Sequence, residues 1–145
     1  MGREFEFFHG LALCKLIHFN KIHSIKLYLT KSNSSYVLNG DIGVFIKYST
    51  KRLSPWRFSF LKEHQDEIRQ MKEKLMRVFV LLVCNTDGVV CLEYGEMKKI
   101  LDEEHEEIEW ISASRKRREH YVVNGSDGKL KFRIGPGDFP KKIFA

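Results

Sequence analysis

One uninterrupted apolar run limits the possible folds more than any other feature of the sequence. Residues Arg77–Cys84 read RVFVLLVC, and after the first arginine every side chain is aliphatic, aromatic or a thiol. Such a run is typical of a strand that is covered on both faces and therefore lies inside a sheet. It is also far shorter than the roughly twenty apolar residues of a membrane-spanning helix. We therefore expect a central strand here and no transmembrane helix.

The spacing of apolar residues on either side of this run predicts both helices and strands. Helices are expected over Glu4–His18, Glu63–Met76 and, as a shorter element, Tyr94–Asp102. Alternating apolar and polar residues, with the turn signals Asn-Gly at 39–40 and Asp-Gly at 87–88, indicate a sheet of about seven or eight strands. Nine segments are the candidates for the strands of this sheet: Ser24–Thr30, Tyr36–Leu38, Ile42–Ser49, Trp56–Phe60, Arg77–Cys84, Val89–Leu92, Trp110–Ser114, Glu119–Val123 and Leu130–Ile134.

Length and composition favour a single domain. The 145 residues are 43% hydrophobic and 30% charged, which is enough apolar material for one core. We expect one α+β domain over residues 1–145, with a mixed or largely antiparallel twisted sheet and two to three helices packed on it. The N-terminus carries Arg3, Glu4, Glu6 and His9 among its apolar residues, so it lacks the layout of a secretory signal, and we expect a cytoplasmic protein.

The distribution of charge is more informative than the net charge of +6. Lysines and arginines outnumber acids nine to three in residues 1–60 and again in residues 111–145, whereas acids outnumber them thirteen to seven in residues 61–110. If the two basic ends lie side by side in the fold, they form a positive surface suited to a polyanion.

Two basic clusters are the candidates for such a surface. The first surrounds the aromatic side chains of Tyr48 and Trp56, and the second is a four-residue run. Their members are Lys47, Lys51, Arg52 and Arg57 in the first cluster and Arg115, Lys116, Arg117 and Arg118 in the second. Cations attract phosphate, and an exposed aromatic ring stacks on a base, so we predict a non-enzymatic binding or accessory module for nucleic acid or an acidic partner. In the alternative interpretation Trp56 belongs to the core, and the second cluster pairs with the acidic stretch Asp102–Glu109.

The order of elements over about residues 4–92 resembles the αβββαβ core of the PD-(D/E)XK nuclease superfamily. Those enzymes place an acid on one strand and an acid-x-lysine on the next, so that carboxylates hold a divalent metal and the lysine orients or activates the attacking water. The resemblance implies that Lys47 is this lysine, although Phe45 stands at the acidic position before it. Asp41 and Glu6 are the candidate carboxylates. A metal-dependent nuclease is therefore the alternative to a binding module.

Other motifs add little to these two hypotheses. The chain has no P-loop, no GxGxxG, no HExxH and no GxSxG. The three cysteines have no CxxC spacing and the six histidines no helical pairing, so we predict no metal site and no cofactor. A third hypothesis is a protein-interaction module that forms a homodimer through exposed strand edges.

Overall fold

The computed structural model describes residues 2–28, 30, 32–102, 104 and 109–145. About 29% of the chain is helix and 36% is strand, which confirms the α+β fold class. The elements follow one another as α1 (Gly2–His18), β1 (Ile25–Leu27), β2 (Ser35–Leu38), β3 (Ile42–Ser49), β4 (Trp56–Phe60), α2 (Lys62–Lys74), β5 (Arg77–Cys84), β6 (Gly88–Glu93), α3 (Tyr94–Ile100), β7 (Glu109–Ser114), β8 (Val122–Gly125), β9 (Gly128–Lys129) and a 3-10 helix (Lys141–Phe144).

The larger sheet, sheet A, has the strand order β1-β2-β3-β5-β6. β1, β2 and β3 form an antiparallel meander, and β6 is antiparallel to β5. β3 and β5 run parallel along their whole length, from the pair Ile42 and Arg77 to the pair Ser49 and Cys84. Every residue of β5 from Val78 to Cys84 is buried, so the apolar run is the interior strand that its composition predicts.

The remaining strands form a second, antiparallel sheet, sheet B, in the order β4-β7-β8-β9. The sequence predicted a single sheet, and the difference arises at β4. Trp56, Phe58 and Phe60 are buried while Arg57 and Ser59 are exposed, so β4 turns one aromatic face inward and keeps a polar face outward. Its aromatic face packs against one face of sheet A, and β4 pairs with β7 instead of continuing the meander.

Sheet A is the middle layer of the molecule. On one face it carries α1, which contributes Phe8, Ala12 and Leu16 at the four-residue spacing of a buried helical stripe. On the other face it carries α2, α3 and the inner side of sheet B, which share a second hydrophobic cluster. Among the described residues no helix is long and apolar enough to cross a membrane.

The C-terminal strands depart most from the prediction. The hairpin of β8 and β9 turns at Ser126 and Asp127, where Gly125 pairs with Gly128. A Cβ atom at Gly125 would overlap the backbone carbonyl oxygen of Ile100, so this hairpin must be glycine-rich to sit on the end of α3. The predicted strand over residues 130–134 is reduced to one bridge, from Tyr121 to Ile134. Two further predictions lie partly outside the described residues: residue 29 of the predicted strand Ser24–Thr30, and residues 103 and 105–108 of the acidic stretch Asp102–Glu109.

Candidate functional site

Sheet B brings the two basic clusters of the sequence to one end of the molecule. Because β4 and β7 are antiparallel, the connection that enters β4 lies beside the connection that leaves β7, and Trp56 pairs with Ala113 there. The backbone N–H of Arg115 donates to Ser54 Oγ at 3.0 Å, which ties the two connections together. Residues about 60 positions apart in sequence therefore form one surface.

We call the exposed cations of this surface the basic end. Its members are Lys51, Arg52, Lys116, Arg117 and Arg118, all of them exposed. Among the described residues none of the five has an ion-pair partner within 4.0 Å. The described residues of the acidic stretch, namely 102, 104 and 109, make no ion pair with them. The predicted neutralisation by that stretch is therefore not seen in the described part of the chain.

Arg115 does not belong to the basic end, although it begins the second cluster. Its guanidinium donates to both carboxylate oxygens of Asp87, at 2.9 and 3.0 Å, and lies over the ring of Tyr121. Tyr121 Oη donates to the same carboxylate at 2.6 Å. Arg115 therefore holds the β5–β6 turn against sheet B and has little charge left for a ligand.

The aromatic side chains of the first cluster are also occupied by the fold. Trp56 is 2% exposed, and its indole N–H donates to the backbone carbonyl of Lys51 at 2.8 Å. Tyr48 is half-buried and stacks on Phe8 with 4.9 Å between ring centroids. Trp56 is thus a core residue that anchors the loop of Lys51, as the alternative interpretation held, and Phe8 covers one face of the Tyr48 ring.

The other two predicted cations lie elsewhere. Arg57 is on the outer face of sheet B, where its guanidinium stacks on Trp110 at 4.6 Å from the ring centroid. Lys47 points from β3 into a cleft of about 440 Å³ between α1, the start of β2 and the start of α2. This cleft contains polar groups from every element around it.

Hydrogen bonds organise the walls of the Lys47 cleft. Lys47 Nζ lies 3.4 Å from His64 Nδ1 and 5.3 Å from the ring centroid of Phe60. Glu67 accepts hydrogen bonds from the hydroxyl groups of Ser32, at 2.9 and 3.0 Å, and of Ser35. The backbone N–H of residue 61 also donates to His64 Nδ1, at 3.2 Å, so this ring nitrogen is an acceptor.

Burial sets the protonation of these groups. It lowers the pKa of Lys47 to about 8 and the pKa of His9, which is hydrogen-bonded to Tyr36 Oη, to about 4. Burial, and then the nearby charge of Lys47, also lower the pKa of His64. At neutral pH the cleft therefore holds neutral imidazoles and one amine that can lose its proton only slightly above neutrality.

The structure does not bring the predicted catalytic residues together. Asp41 precedes β3 and Lys47 lies near the opposite end of the strand, so six residues of extended chain, about 20 Å, separate them. Glu6 is exposed on α1, two residues before the buried Phe8 and so on the far side of the helix. Glu63 and Glu67, on α2, lie close enough to His64 for their charges to favour its protonated form, and the sequence reasoning selected neither of them.

A metal ion of the kind that the nuclease resemblance implies does not fit the described part of this cleft. Phe45 fills the acidic position beside Lys47 and packs against His64 and Phe60. Within the described residues no group of three metal-ligating side chains lies in the cleft. The carboxylate of Glu67 lines the adjoining cleft and already accepts hydrogen bonds from Ser32 and Ser35, whereas a divalent cation prefers several oxygen ligands.

No family model, no curated protein and no solved structure gives a significant match to the chain. The geometry of the side chains is therefore the basis for any functional conclusion.

One cluster was missed by the sequence reasoning entirely. Oxygen atoms of Asp102, Glu109 and Asp127 lie within 4.8 Å of one another at the end of α3. Burial, together with hydrogen bonding and repulsion from Asp127, raises the pKa of Glu109 to about 7. A partial indication of this cluster was present in the sequence. In the alternating segment EWISAS, Glu109 is two and four residues before Ile111 and Ala113, so it lies on the same buried face of β7.

Proposed function

We propose that this protein binds the phosphate backbone of nucleic acid through the basic end, as a non-enzymatic binding module. The observation that carries the proposal is the convergence, on two adjacent loops, of five exposed cations that have no ion-pair partner within the described part of the chain. The acidic side chains beside them, Asp87 and Glu119, are already paired with Arg115 and Arg133, so the positive charge of the surface is not compensated locally.

The same surface indicates what kind of recognition to expect. Base readout needs side chains that reach base edges or rings that stack on them. Trp56 is buried and Phe8 covers one face of Tyr48, whereas the lysines and arginines of the basic end are exposed. We therefore expect binding that depends on charge and salt and discriminates weakly between sequences.

Fluorescence anisotropy with labelled duplex DNA, single-stranded DNA and RNA at low salt tests this function. The decisive variant removes the charge of one loop: Lys116→Gln, Arg117→Gln and Arg118→Gln together. A matched control removes three charges elsewhere, at the exposed lysines 26, 72 and 74. We expect the first variant to lose at least about tenfold in affinity, because phosphate contacts are lost, and the control to change little. Equal loss in both variants would mean that net charge alone is responsible, and absence of binding to every nucleic acid would refute the function.

A metal-dependent nuclease is the second candidate. It is supported by the order of sheet A, where a meander of β1, β2 and β3 precedes a parallel β5 and where α1 and α2 cover opposite faces. It is also supported by the half-buried amine of Lys47 on β3. Cleavage of plasmid DNA that requires Mg²⁺ or Mn²⁺ and is lost in Lys47→Ala would favour it over the binding module. Intact substrate under all these conditions would retire it.

Homodimer formation through strand edges is tested by the same preparation. Sedimentation velocity at several concentrations reports the oligomeric state directly. A stable dimer without affinity for nucleic acid would favour a protein-interaction module over both other functions.

A further inference from the structure

The carboxylates of Asp102, Glu109 and Asp127 meet at a point where three elements end. Asp102 follows α3, Glu109 is the first residue of β7, and Asp127 is in the turn between β8 and β9. The turn is held in place because Asp127 donates its backbone N–H to the carbonyl oxygen of Ile100 at 3.0 Å, and Asp127 Oδ2 accepts the backbone N–H of Asp102 at 3.1 Å. These two hydrogen bonds hold the turn of Asp127 against the segment that follows α3, and so keep Asp127 beside Asp102.

Glu109 is the unusual member of this group. Its side chain is buried, with 1% of the residue exposed, and Oε1 accepts only a long hydrogen bond of 3.4 Å from Gln65. Oε2 is buried and accepts no hydrogen bond from the described residues, and one carboxylate oxygen of Glu109 lies within 4.8 Å of oxygens of Asp102 and Asp127. When Glu109 is protonated, its carboxyl group can hydrogen-bond to Asp127. A buried carboxylate oxygen without a donor is costly, so Glu109 requires either a proton that it shares with Asp127 or a bound cation.

The protein supplies no positively charged partner in its described residues. None of the three carboxylates forms an ion pair with a lysine, arginine or histidine within 4.0 Å there. Three acidic groups at this separation repel one another unless a cation or protons intervene. The cluster is therefore electrostatically incomplete.

The distances between the oxygens suit one cation. Two oxygens on opposite sides of a Ca²⁺ ion lie about 4.8 Å apart at the usual bond length of about 2.4 Å, and oxygens at right angles lie closer. Oxygen atoms of the three carboxylates are all within 4.8 Å of one another. A ligand set made only of oxygen is preferred by Ca²⁺, Mg²⁺ and Mn²⁺.

We propose that Asp102, Glu109 and Asp127 form a binding site for one such hard divalent cation. The ion joins the end of α3 to the start of β7 and to the turn of the β8–β9 hairpin. Water molecules complete its coordination, because Asp102 reaches the solvent-exposed side of the site. The site lies on different loops from the basic end, so this inference is independent of the proposed function.

Thermal unfolding of the whole chain tests the site. Protein treated with a chelator and dialysed is unfolded in Ca²⁺, Mg²⁺ or Mn²⁺ at matched ionic strength, and the three arms show which ion is preferred. We expect the unfolding temperature to rise by about 5 °C at a saturating concentration of at least one of these ions. Terbium luminescence excited through Trp110, which is adjacent to Glu109 in β7, provides a second readout of binding.

Two variants connect the response to the proposed ligands. Glu109→Gln and Asp127→Asn each remove one ligand charge, and we expect the affinity to fall by more than about tenfold and the temperature shift to disappear. Asp66→Asn removes a surface carboxylate that is paired with Lys62 and Arg69, and we expect it to respond as the parent does. The proposal is overturned if no ion shifts the parent protein, as a shared proton between the carboxylates would predict. It is also overturned if either ligand variant that remains folded keeps the full response.

Discussion

Replacing Lys47 with methionine should make the protein more stable, because the amine of Lys47 is charged in a place that disfavours charge. Burial lowers the pKa of Lys47 from its ordinary value of 10.5 to about 8. A pKa difference of about 2.5 corresponds to about 3.5 kcal/mol at about 1.4 kcal/mol for each pKa unit. Because the side chain is partly exposed, solvent screening reduces this cost, and we expect a gain of about 1–2 kcal/mol in the free energy of unfolding.

The dependence of this gain on pH distinguishes charge burial from better packing. Below pH 8 the amine is protonated in both the folded and unfolded states, so the folded protein bears the full cost. Between pH 8 and 10.5 the unfolded state binds more protons than the folded state, so the stability of the parent rises with pH and the advantage of Lys47→Met shrinks. Urea unfolding at pH 7 and at pH 10 measures both values. The control Lys51→Met changes an exposed lysine and should alter stability by less than about 0.5 kcal/mol.

Two results would contradict this reasoning. If Lys47→Met is less stable than the parent at pH 7, then the contacts of the amine with His64 and Phe60 outweigh its desolvation. If the gain is the same at both pH values, then methionine simply packs better, and the lowered pKa of Lys47 has no part in it.

Three further predictions concern the basic end and the glycines. Five phosphate contacts at the basic end give a slope of about −4.5 for log K against log salt, which is about a 500-fold loss of affinity between 50 and 200 mM salt. The variant that replaces Lys116, Arg117 and Arg118 with glutamine keeps two contacts and should lose only about 12-fold over the same range. Equal slopes for the parent and the variant would mean that the phosphate contacts lie elsewhere. Gly125→Ala should lower the free energy of unfolding by about 3 kcal/mol or more, because the new Cβ overlaps the carbonyl oxygen of Ile100. Gly137→Ala is the control, since nothing lies within 4 Å of its new methyl group. Equal unfolding temperatures for the two variants would contradict the prediction. Gly10→Ala on α1 should raise stability by about 0.5–1 kcal/mol, since nothing lies within 4 Å of the new methyl group. A lower free energy of unfolding on chemical denaturation would contradict this prediction.

The local pattern of the sequence determined the elements well but not their partners. The apolar run of β5 and the amphipathic spacing of α2 are properties of consecutive residues, and both elements occur where they were predicted. Which strands pair is a non-local property. The alternation in β4 indicated one buried aromatic face but not that the strand would leave sheet A and pair with β7, more than 50 residues later.

The candidate sites show the same limit. The charge of the basic end was visible in the sequence, whereas its convergence depends on the pairing of β4 with β7. The grouping of Asp41 with Lys47 ignored the length of an extended strand, which alone separates them by about 20 Å. The carboxylate cluster forms only where three distant segments meet in the fold. From the sequence, only the position of Glu109 on the buried face of an alternating strand could have been predicted.

The position of Lys47 relates the cleft to the basic end. Lys51 comes four residues after Lys47, at most about 14 Å along an extended chain, so a polyanion bound at the basic end would pass close to the cleft. A half-buried amine with a lowered pKa destabilises the fold, and such groups cluster at sites that use them. If Lys47 serves the ligand, then Lys47→Met will gain stability and lose affinity for nucleic acid, a combination that no purely structural role of this lysine produces. If affinity is unchanged, the cleft is separate from the binding surface, and the five loop cations act without it.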